Sequence, residues 1–306
     1  MTLPRRKLGR TGLDISILGL GAAPLGGLYR ALPAGVAEAT VDAAYDGGIR
    51  YFDVAPFYGH GLAERRLGDA LRRRGGDYLL STKVGRLLKP ARDGAETRGM
   101  YEGALPFEIA YDYSYDGVMR SLEDSYQRLG LDRIDIAYIH DVNRRWHGDA
   151  VDQRFEEVMN GGYRALDELR RDGLVKAIGV GVNDSGILMR FADAGDFDCF
   201  MLAGRYTLLD QSSLDDLLPL CERRGISIIA AAPFNSGILA TGATRNAKYF
   251  YADAPEEILS RTRKIEGVCT RFQVPLASAA IHFPLRHPAV ASVALGCSSP
   301  QEVKTN

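Results

Sequence analysis

Short apolar runs alternate with amphipathic segments along nearly the whole chain. Eight of the runs are bounded by turn residues and have the length of buried strands, and the segments between them show helical spacing of apolar residues. This alternation is typical of a parallel α/β fold. The predicted strands cover residues 15–20, 51–53, 78–83, 134–140, 177–182, 199–202, 226–231 and 291–295. The predicted helices cover residues 37–46, 63–73, 115–129, 155–172, 185–194, 214–224, 255–272 and 276–286.

Three of the predicted strands end in a polar residue. The runs that end near Asp53, Lys83 and His140 are otherwise mostly apolar, and Tyr58 lies in the loop after the first of them. Polar groups at the carboxyl ends of strands form the active sites of (β/α)8 barrels. The pattern therefore predicts an α/β fold of the TIM barrel type, with these four side chains gathered at its C-terminal face.

The four residue types together indicate proton transfer by a tyrosine. A free phenol has a pKa of about 10, too high for efficient acid–base chemistry at neutral pH. A neighbouring ammonium lowers that pKa. We therefore expect Lys83 to activate Tyr58, Asp53 to pair with Lys83, and His140 to hydrogen-bond the substrate oxygen. Each residue alone could be structural, so the prediction rests on the combination.

The composition narrows the class of protein. The length of 306 residues suits a single barrel over residues 1–306, and 46% of the residues are hydrophobic, enough for a sizeable core. A formal net charge of -1 argues against a nucleic-acid partner. The chain shows no membrane-length apolar run and no signal-peptide pattern. We expect a cytoplasmic monomer or homodimer that acts on a small-molecule substrate.

Neither a disulfide nor a metal site is predicted. The four cysteines are widely spaced and are expected to be buried free thiols. They are Cys199, Cys221, Cys269 and Cys297. His140 and Asp141 are neighbours in a predicted strand, where successive side chains point to opposite faces. That placement, and the absence of a closely spaced histidine pair, disfavour a metal ion.

The segments around Asp53, Tyr58, Lys83 and His140 resemble the catalytic tetrad of the aldo-keto reductase family. The resemblance covers nearly the whole chain. It implies a barrel that binds NAD or NADP across the C-terminal face of the strands. No Gly-rich Rossmann fingerprint competes with this interpretation, because the partial match that ends at Gly21 is better explained as a barrel turn.

The resemblance also implies a set of cofactor contacts. Asn183 corresponds to a residue that binds the nicotinamide carboxamide, and Tyr206 to the aromatic residue that stacks on the nicotinamide ring. Residues 232–239 resemble the pyrophosphate loop, although an ordinary turn is the alternative. The chain departs from the family at Val182 and Ala203, where Ser and Gln are common. The implied contacts are Gly21, Asn183, Tyr206, Pro233, Asn235, Ser236, Gly237, Leu239, Gly296, Ser298 and Glu302.

The segment from residue 296 to 302 resembles the part of the family that binds the adenosine end of the cofactor. NADP-preferring relatives usually carry Arg or Lys there, whereas this chain has Ser298 and Glu302. A carboxylate repels a 2′-phosphate but can accept a hydrogen bond from a ribose hydroxyl. NAD is therefore slightly favoured over NADP, with Lys304 as a cation that could compensate.

Two long predicted loops, residues 85–113 and 233–255, are expected to be functional. The first should wall the substrate pocket, and the second resembles a segment that folds over the cofactor. The candidate substrate contacts are Phe57, Tyr101, Phe107, Trp146 and His147. His60, which follows the turn at Tyr58, is expected to be exposed.

Residues 112–121, 140–144 and 202–206 resemble a bacterial branch of the family that contains L-fucose (D-threo-aldose) 1-dehydrogenase and pyridoxal 4-dehydrogenase. The resemblance implies oxidation of a cyclic hemiacetal to a lactone, with Tyr58 as the acid or base. A general NADPH-dependent carbonyl reductase and a cofactor-binding regulatory subunit are the alternatives. Residues 300–306 resemble the first turns of a last helix, so we expect that helix and the tail beyond it to be incomplete.

Overall fold

Eight parallel strands close into a barrel in the computed structural model, which describes residues 2–91 and 99–306. Each barrel strand pairs with the next along the chain, and the last pairs with the first. The predicted TIM barrel is confirmed. The barrel strands, β1 to β8 in chain order, are Leu18–Gly21, Tyr51–Asp53, Leu79–Val84, Ile136–His140, Ala177–Val182, Cys199–Ala203, Ser227–Ala231 and Val290–Gly296.

Helices surround the barrel and are ended by local sequence signals. The helix Tyr115–Leu129 begins where the Ser114 hydroxyl accepts a hydrogen bond from the Gly117 amide, and it ends at Gly130 in left-handed conformation. The other helices of six or more residues in the described ranges are Ala34–Asp46, Leu62–Leu71, Val151–Glu157, Tyr163–Arg171, Ser185–Ala194, Leu217–Arg224, Glu256–Arg271, Leu276–His282 and Pro300–Thr305. A π-helical segment, Val158–Gly162, joins two of them where the sequence predicts one continuous helix.

The amino-terminal segment forms a hairpin that closes the lower end of the barrel. Arg5–Lys7 pairs antiparallel with Asp14–Ser16, so the strand predicted over residues 15–20 is wrong in its first half. The hairpin carries Leu8 and Ile15, both fully buried, into the barrel interior beside Tyr51. The barrel strand itself begins only at Leu18.

The two predicted loops contain ordered elements. Arg86–Pro90 pairs antiparallel with Phe107–Tyr111 in the first, and residues 92–98 of that loop lie outside the described residues. The second contains the short helix Ile238–Thr241 and a small hairpin of Lys248–Tyr249 with Ala252–Asp253. The four cysteines are buried free thiols, as predicted.

Candidate active site

Lys83 and Asp53 form a buried ion pair at the carboxyl ends of two neighbouring strands. The register of β2 and β3 sets Asp53 beside Ser81, and Lys83 follows two residues later on the same face. Lys83 Nζ is 2.6 Å from Asp53 Oδ2 and 3.0 Å from the Val54 carbonyl oxygen, and both side chains are almost fully buried. Burial raises the pKa of Asp53 and lowers that of Lys83, while their mutual attraction opposes both shifts.

A chain of buried polar groups runs from Asp53 into the barrel interior. Ser81 Oγ donates to Asp53 Oδ1 at 2.7 Å, and the Tyr51 hydroxyl lies 3.0 Å from Ser81 Oγ. Beyond it lie the Tyr138 hydroxyl, 3.4 Å from that of Tyr51, and Cys199 Sγ, 3.5 Å from that of Tyr138. Lys83 and Ser81 therefore hold both oxygens of the Asp53 carboxylate in place. The residue pattern alone does not predict this series of polar groups, although its members occupy inward-facing strand positions.

Tyr58 lies in the turn after β2, next to Lys83 and His140. Lys83 Nζ is 4.6 Å from the centroid of the Tyr58 ring, and the imidazole of His140 meets the ring edge-on at 6.0 Å. Burial raises the pKa of Tyr58 well above its usual value, and the carboxylates of Asp53 and Asp141 raise it further. The expected lowering of this pKa by Lys83, whose ammonium is paired with Asp53, does not outweigh burial and the two carboxylates. The phenol is therefore protonated at neutral pH.

His140, the last residue of β4, is a neutral imidazole. Burial lowers the pKa of His140 well below its usual value, and the cations of Arg86 and Lys83 lower it further. Its Nε2 atom is 3.4 Å from Asp141 Oδ2, and its Nδ1 atom is buried with no partner among the described residues. The nearby carboxylate favours the tautomer with the proton on Nε2. His140 can therefore donate a hydrogen bond to an oxygen in the cavity.

Arg86 and Asp141 form a second ion pair beside the tetrad, which sequence analysis missed. Arg86 Nη2 is 2.7 Å from Asp141 Oδ2, and the guanidinium carbon lies 4.1 Å from the ring centroid of Phe57 and 4.7 Å from that of Trp146. The expectation that Asp141 points away from His140 is wrong, because its backbone is left-handed with φ 55° and its side chain lines the cavity. Both charged residues lie within two positions of a strand end, the signal that identified the tetrad.

Aromatic side chains form the wall of a cavity of about 200 Å³ above the tetrad. Phe57, Tyr101 and Trp146, three of the residues that the sequence predicts as substrate contacts, line it. The rings of Tyr101 and Trp146 meet the ring of Phe57 edge-on, with centroids 5.2 and 5.3 Å apart. The wall is therefore a packed aromatic cluster, braced from behind by the Arg86 guanidinium.

Phe107, His147 and His60 lie behind this wall. The Phe107 carbonyl accepts a hydrogen bond of 2.5 Å from His60 Nδ1, and His60 is only 5% exposed, so the expectation of an exposed His60 is wrong. His147 Nε2 is 3.1 Å from the Tyr113 hydroxyl, and burial lowers the pKa of His147 to about 4. Neither Phe107 nor His147 is among the described residues that line the cavity. His60 stacks on Phe57 and links Phe107 to the wall, whereas the ring of His147 packs against Tyr111 and Tyr113.

The floor of the cavity consists of small residues at the strand ends. They are Gly21, Gly181, Ala203, Ala231, Ala232 and Gly296. Asn183, which follows β5, lies at its edge, and its Oδ1 accepts a hydrogen bond of 3.0 Å from Asn143 Nδ2. The Asn183 amide NH2 group therefore remains available as a donor to a bound molecule.

Tyr206 does not lie on this floor. Gly204, with φ 69°, turns the chain away directly after β6. The Tyr206 ring is 5% exposed and packs against Phe283 and His287, with centroids 5.1 and 6.0 Å apart. The predicted stacking residue is therefore outside the cavity in this structure, and the nearby residue that does line it is Ala203.

The loop after β7 is a strained turn. Asn235 and Ser236 have left-handed backbones, with φ 47° and 63°. Asn235 Nδ2 donates to the Gly204 carbonyl at 3.1 Å, while its buried Oδ1 has no partner in the described ranges. Ser236 Oγ accepts a hydrogen bond of 3.0 Å from the Tyr251 amide. The remaining predicted contacts here are Pro233 and Leu239, which are buried, and Gly237, which precedes the short helix.

Ser298 and Glu302 form a compact polar group at the start of the last helix. The Glu302 carboxylate accepts hydrogen bonds from the Ser298 amide at 2.8 Å and the Ser298 hydroxyl at 2.9 Å. Arg30, from the segment after β1, donates to Ser298 Oγ at 2.8 Å and lies 4.0 Å from Glu302. Sequence analysis missed this arginine, which is far from the others along the chain.

The chain is similar to known proteins in both sequence and structure. The model of the Aldo/keto reductase family matches residues 17–306. The chain belongs to the aldo/keto reductase family. It is 47% identical to a pyridoxal 4-dehydrogenase of Microbacterium luteolum (99% of this chain, 91% of that protein) and 40% identical to a D-threo-aldose 1-dehydrogenase of a Pseudomonas species (96% and 89%). It matches an aldo-keto reductase structure from Bacillus halodurans with a TM-score of 0.75 and 25% identity, covering 99% of this chain and 89% of that one.

As an aldo/keto reductase with dehydrogenases among its relatives, the chain is an oxidoreductase that acts on CH–OH groups and uses a nicotinamide cofactor. Within residues 2–91 and 99–306, no group of three His, Cys, Asp or Glu side chains could hold a metal ion. No helix in the same ranges is long and apolar enough to cross a membrane.

Proposed function

We propose that this chain oxidises the hydroxyl group of a cyclic hemiacetal to a lactone, and that the tetrad of Tyr58, His140, Lys83 and Asp53 carries the reaction. The relatives named pyridoxal 4-dehydrogenase and D-threo-aldose 1-dehydrogenase support the proposal, because pyridoxal and aldoses both close into cyclic hemiacetals. The observation that carries it is the convergence of the four side chains on one aromatic-walled cavity.

The cofactor, when bound, supplies the hydride acceptor, and the chain supplies orientation and proton transfer. His140 donates from Nε2 to the oxygen of the hydroxyl that is oxidised. Tyr58, once deprotonated, takes the proton of that hydroxyl, and the Lys83 ammonium 4.6 Å from its ring centroid stabilises the phenolate. A positioned base of this kind accelerates a reaction about 10²–10⁴-fold.

The residues around the cavity floor fit a nicotinamide cofactor. Small side chains leave room for a flat ring, and the Asn183 amide would bind the carboxamide. The buried Oδ1 of Asn235, which has no partner among the described residues, fits a polar group of a bound molecule nearby. Backbone amides of residues 235–239 and the hydroxyl of Ser236 would hold the phosphates.

NAD is the inferred cofactor in preference to NADP. The Glu302 carboxylate would repel a 2′-phosphate, and it is already bound to Ser298. Arg30, whose guanidinium is 4.0 Å from Glu302, is the cation that would work against this preference. A cytoplasmic location remains our inference, supported by four buried free cysteines. A monomer or homodimer remains our inference for the assembly.

Reduction of a carbonyl compound is the second candidate, and one observation favours it. The raised pKa of Tyr58 keeps its phenol protonated at neutral pH, so Tyr58 is ready to donate a proton to a carbonyl oxygen that receives a hydride. Oxidation, in contrast, needs Tyr58 to lose its proton first. The two directions are therefore expected to dominate at different pH.

The deciding assay follows formation of NADH or NADPH by absorbance, with L-fucose, D-arabinose, L-galactose and pyridoxal at alkaline pH. A rate with one of the sugars would establish an aldose 1-dehydrogenase, and a rate with pyridoxal alone would establish a pyridoxal dehydrogenase. The reverse assay uses simple aromatic aldehydes and NADPH at neutral pH. Faster reduction of these aldehydes than oxidation of all four substrates would overturn the proposal in favour of a carbonyl reductase.

A further inference from the structure

Asp141 stands in the cavity beside the tetrad but takes no part in the proton transfer described above. It directly follows β4, and its left-handed backbone turns its carboxylate into the cavity, where the side chain is 17% exposed. A non-glycine residue in this conformation costs free energy and persists only where the surroundings hold it. The fold therefore enforces the position of this carboxylate.

Arg86 holds the carboxylate of Asp141 in place. Its guanidinium is 1% exposed, donates to Asp141 Oδ2 at 2.7 Å, and lies against the rings of Phe57 and Trp146. Burial raises the pKa of Asp141, and the Arg86 cation opposes this rise because a charge removed from water is stabilised by an opposite charge beside it. The aromatic rings leave the guanidinium little freedom to move.

One oxygen of Asp141 is left for a ligand. Arg86 Nη2 and His140 Nε2 both face Oδ2, at 2.7 and 3.4 Å, whereas Oδ1 accepts no hydrogen bond from the described part of the chain. An ionised carboxylate oxygen at the edge of a cavity is a strong acceptor for a hydroxyl group.

We propose that Asp141 accepts a hydrogen bond from a second hydroxyl group of the substrate, the one nearest to the hydroxyl that is oxidised, and that Arg86 positions it to do so. The inference rests on the proposed function, which puts the oxidised oxygen within hydrogen-bond reach of His140 Nε2. Asp141 Oδ2 is 3.4 Å from that same nitrogen, so the carboxylate lies beside the neighbouring substrate oxygen. In an aldose this is the hydroxyl on C2.

The experiment compares substrates with and without that hydroxyl group. Values of kcat/KM are measured for L-fucose against 2-deoxy-L-fucose. Loss of a hydrogen bond to a charged group should lower kcat/KM of the unmodified enzyme about 10- to 100-fold. In Asp141→Asn the ratio of the two values should fall to within about threefold of one. Asp149→Asn, an exposed carboxylate paired with Arg144, is the matched control and should keep the full ratio.

The ratio separates recognition of the hydroxyl from other effects of the substitution. Asp141 also raises the pKa of Tyr58, so Asp141→Asn will change absolute rates and their pH dependence. Both substrates of a pair meet the same Tyr58, so this change cancels in the ratio. Arg86→Met should reduce the ratio as well, because the carboxylate then loses its fixed position. An unchanged ratio in Asp141→Asn would overturn the proposal.

A binding measurement keeps this test independent of turnover and of the folding of the variants. Trp146 lines the cavity and is the only tryptophan in the chain, so its fluorescence reports on ligands there. The unmodified protein should bind L-fucose about 10- to 100-fold more tightly than 2-deoxy-L-fucose. Absence of turnover with such a binding ratio would contradict the proposed reaction alone, whereas equal binding of the two sugars would overturn the role of Asp141.

Discussion

The two ends of the barrel use buried carboxylates in different ways. At the amino-terminal end, Asp135 accepts hydrogen bonds from the Leu80 amide at 2.9 Å, Lys176 Nζ at 2.8 Å and Arg133 Nη2 at 2.9 Å. At the carboxyl-terminal end, Asp141 is held through one oxygen only. The first carboxylate joins strands and side chains permanently, and the second keeps an acceptor for a molecule that enters the cavity.

The same contrast appears in polar atoms that lack partners. Among the described residues, the buried side-chain atoms without a hydrogen bond include the Arg86 Nε and Nη1, the His140 Nδ1 and the Asn235 Oδ1, all near the carboxyl ends of the strands. Unsatisfied buried polar groups cost free energy. The other two in the described ranges are Ser121 Oγ in a helix and Ser292 Oγ in β8, so four of the six such atoms lie at the end where barrels of this type bind ligands.

Replacement of Tyr58 tests the catalytic end most directly and should have the largest effect. We expect Tyr58→Phe to lower kcat for hemiacetal oxidation about 10²–10⁴-fold, because the group that takes the proton is removed. The ring, its burial and the neighbouring Lys83 remain. Cofactor binding, measured by fluorescence titration, should therefore stay within about twofold of the unmodified protein. Turnover at the original rate would show that Tyr58 is not the acid or base.

One substitution of a buried ionic group at each end of the barrel should separate effects on catalysis from effects on the free energy of unfolding. Lys83→Met should abolish most activity and also lower the free energy of unfolding by about 3 kcal/mol, because Asp53 is left buried without its cation. Asp135→Asn should lower the free energy of unfolding by about 1–3 kcal/mol but leave kcat unchanged in the folded enzyme. Urea unfolding and steady-state kinetics on both variants provide the measurements.

A loss of kcat in Asp135→Asn comparable with that in Lys83→Met would contradict the division between the two ends. Equal unfolding free energies for Asp135→Asn and the unmodified protein would show that the satisfied carboxylate contributes little. Asp132→Asn, a change at the same end in a residue whose carboxylate forms no ion pair among the described residues, is the matched control for Asp135→Asn.

The sequence predicts those helices and strands that are bounded by local signals. It also predicts functional side chains that lie at the ends of strands. The helix 115–129 is bounded by Ser114 and Gly130, and its predicted limits agree with the structure. The tetrad was predicted because each member closes or follows an apolar run, and the barrel brings such positions together. No comparable signal in the sequence shows which strands are neighbours in the barrel. Ion pairs that depend on this packing are therefore not predicted.

Arg86 and Asp141 illustrate what the sequence leaves open. Their contact depends on the pairing of β3 with β4 and on a left-handed residue directly after the strand, and neither is visible in the residue pattern. The expected exposure of His60 is wrong for the same reason, because its burial results from the hairpin that carries Phe107. The predicted contact of Tyr206 fails because Gly204 turns the chain out of the cavity.

The pH dependence of the reaction follows from the state of the two proton-handling residues. Because the pKa of Tyr58 is raised, oxidation should speed up with increasing pH, about tenfold per unit until Tyr58 is deprotonated. Reduction of a carbonyl needs the protonated phenol, so its rate should stay constant until the pH approaches the raised pKa of Tyr58. The pKa of His140 is lowered, so no loss of activity from its protonation is expected near its usual value of about 6.5. Profiles of kcat/KM from pH 6 to 10 in both directions test this, and an oxidation rate that falls above pH 7 would contradict it.

The smallest expected effect concerns the choice of cofactor, at the rim of the catalytic end. Glu302→Gln should improve the affinity for NADP relative to NAD about three- to fivefold, because it removes a partly exposed carboxylate whose interaction with a phosphate is screened by water. Arg30→Gln should change the ratio in the opposite direction if Arg30 approaches the same phosphate. Dissociation constants for both cofactors, with Glu256→Gln as a distant exposed control, decide the matter. A ratio that neither Glu302→Gln nor Arg30→Gln changes would show that the adenosine end binds elsewhere, and that the ligand-binding character of this end of the barrel stops short of the last helix.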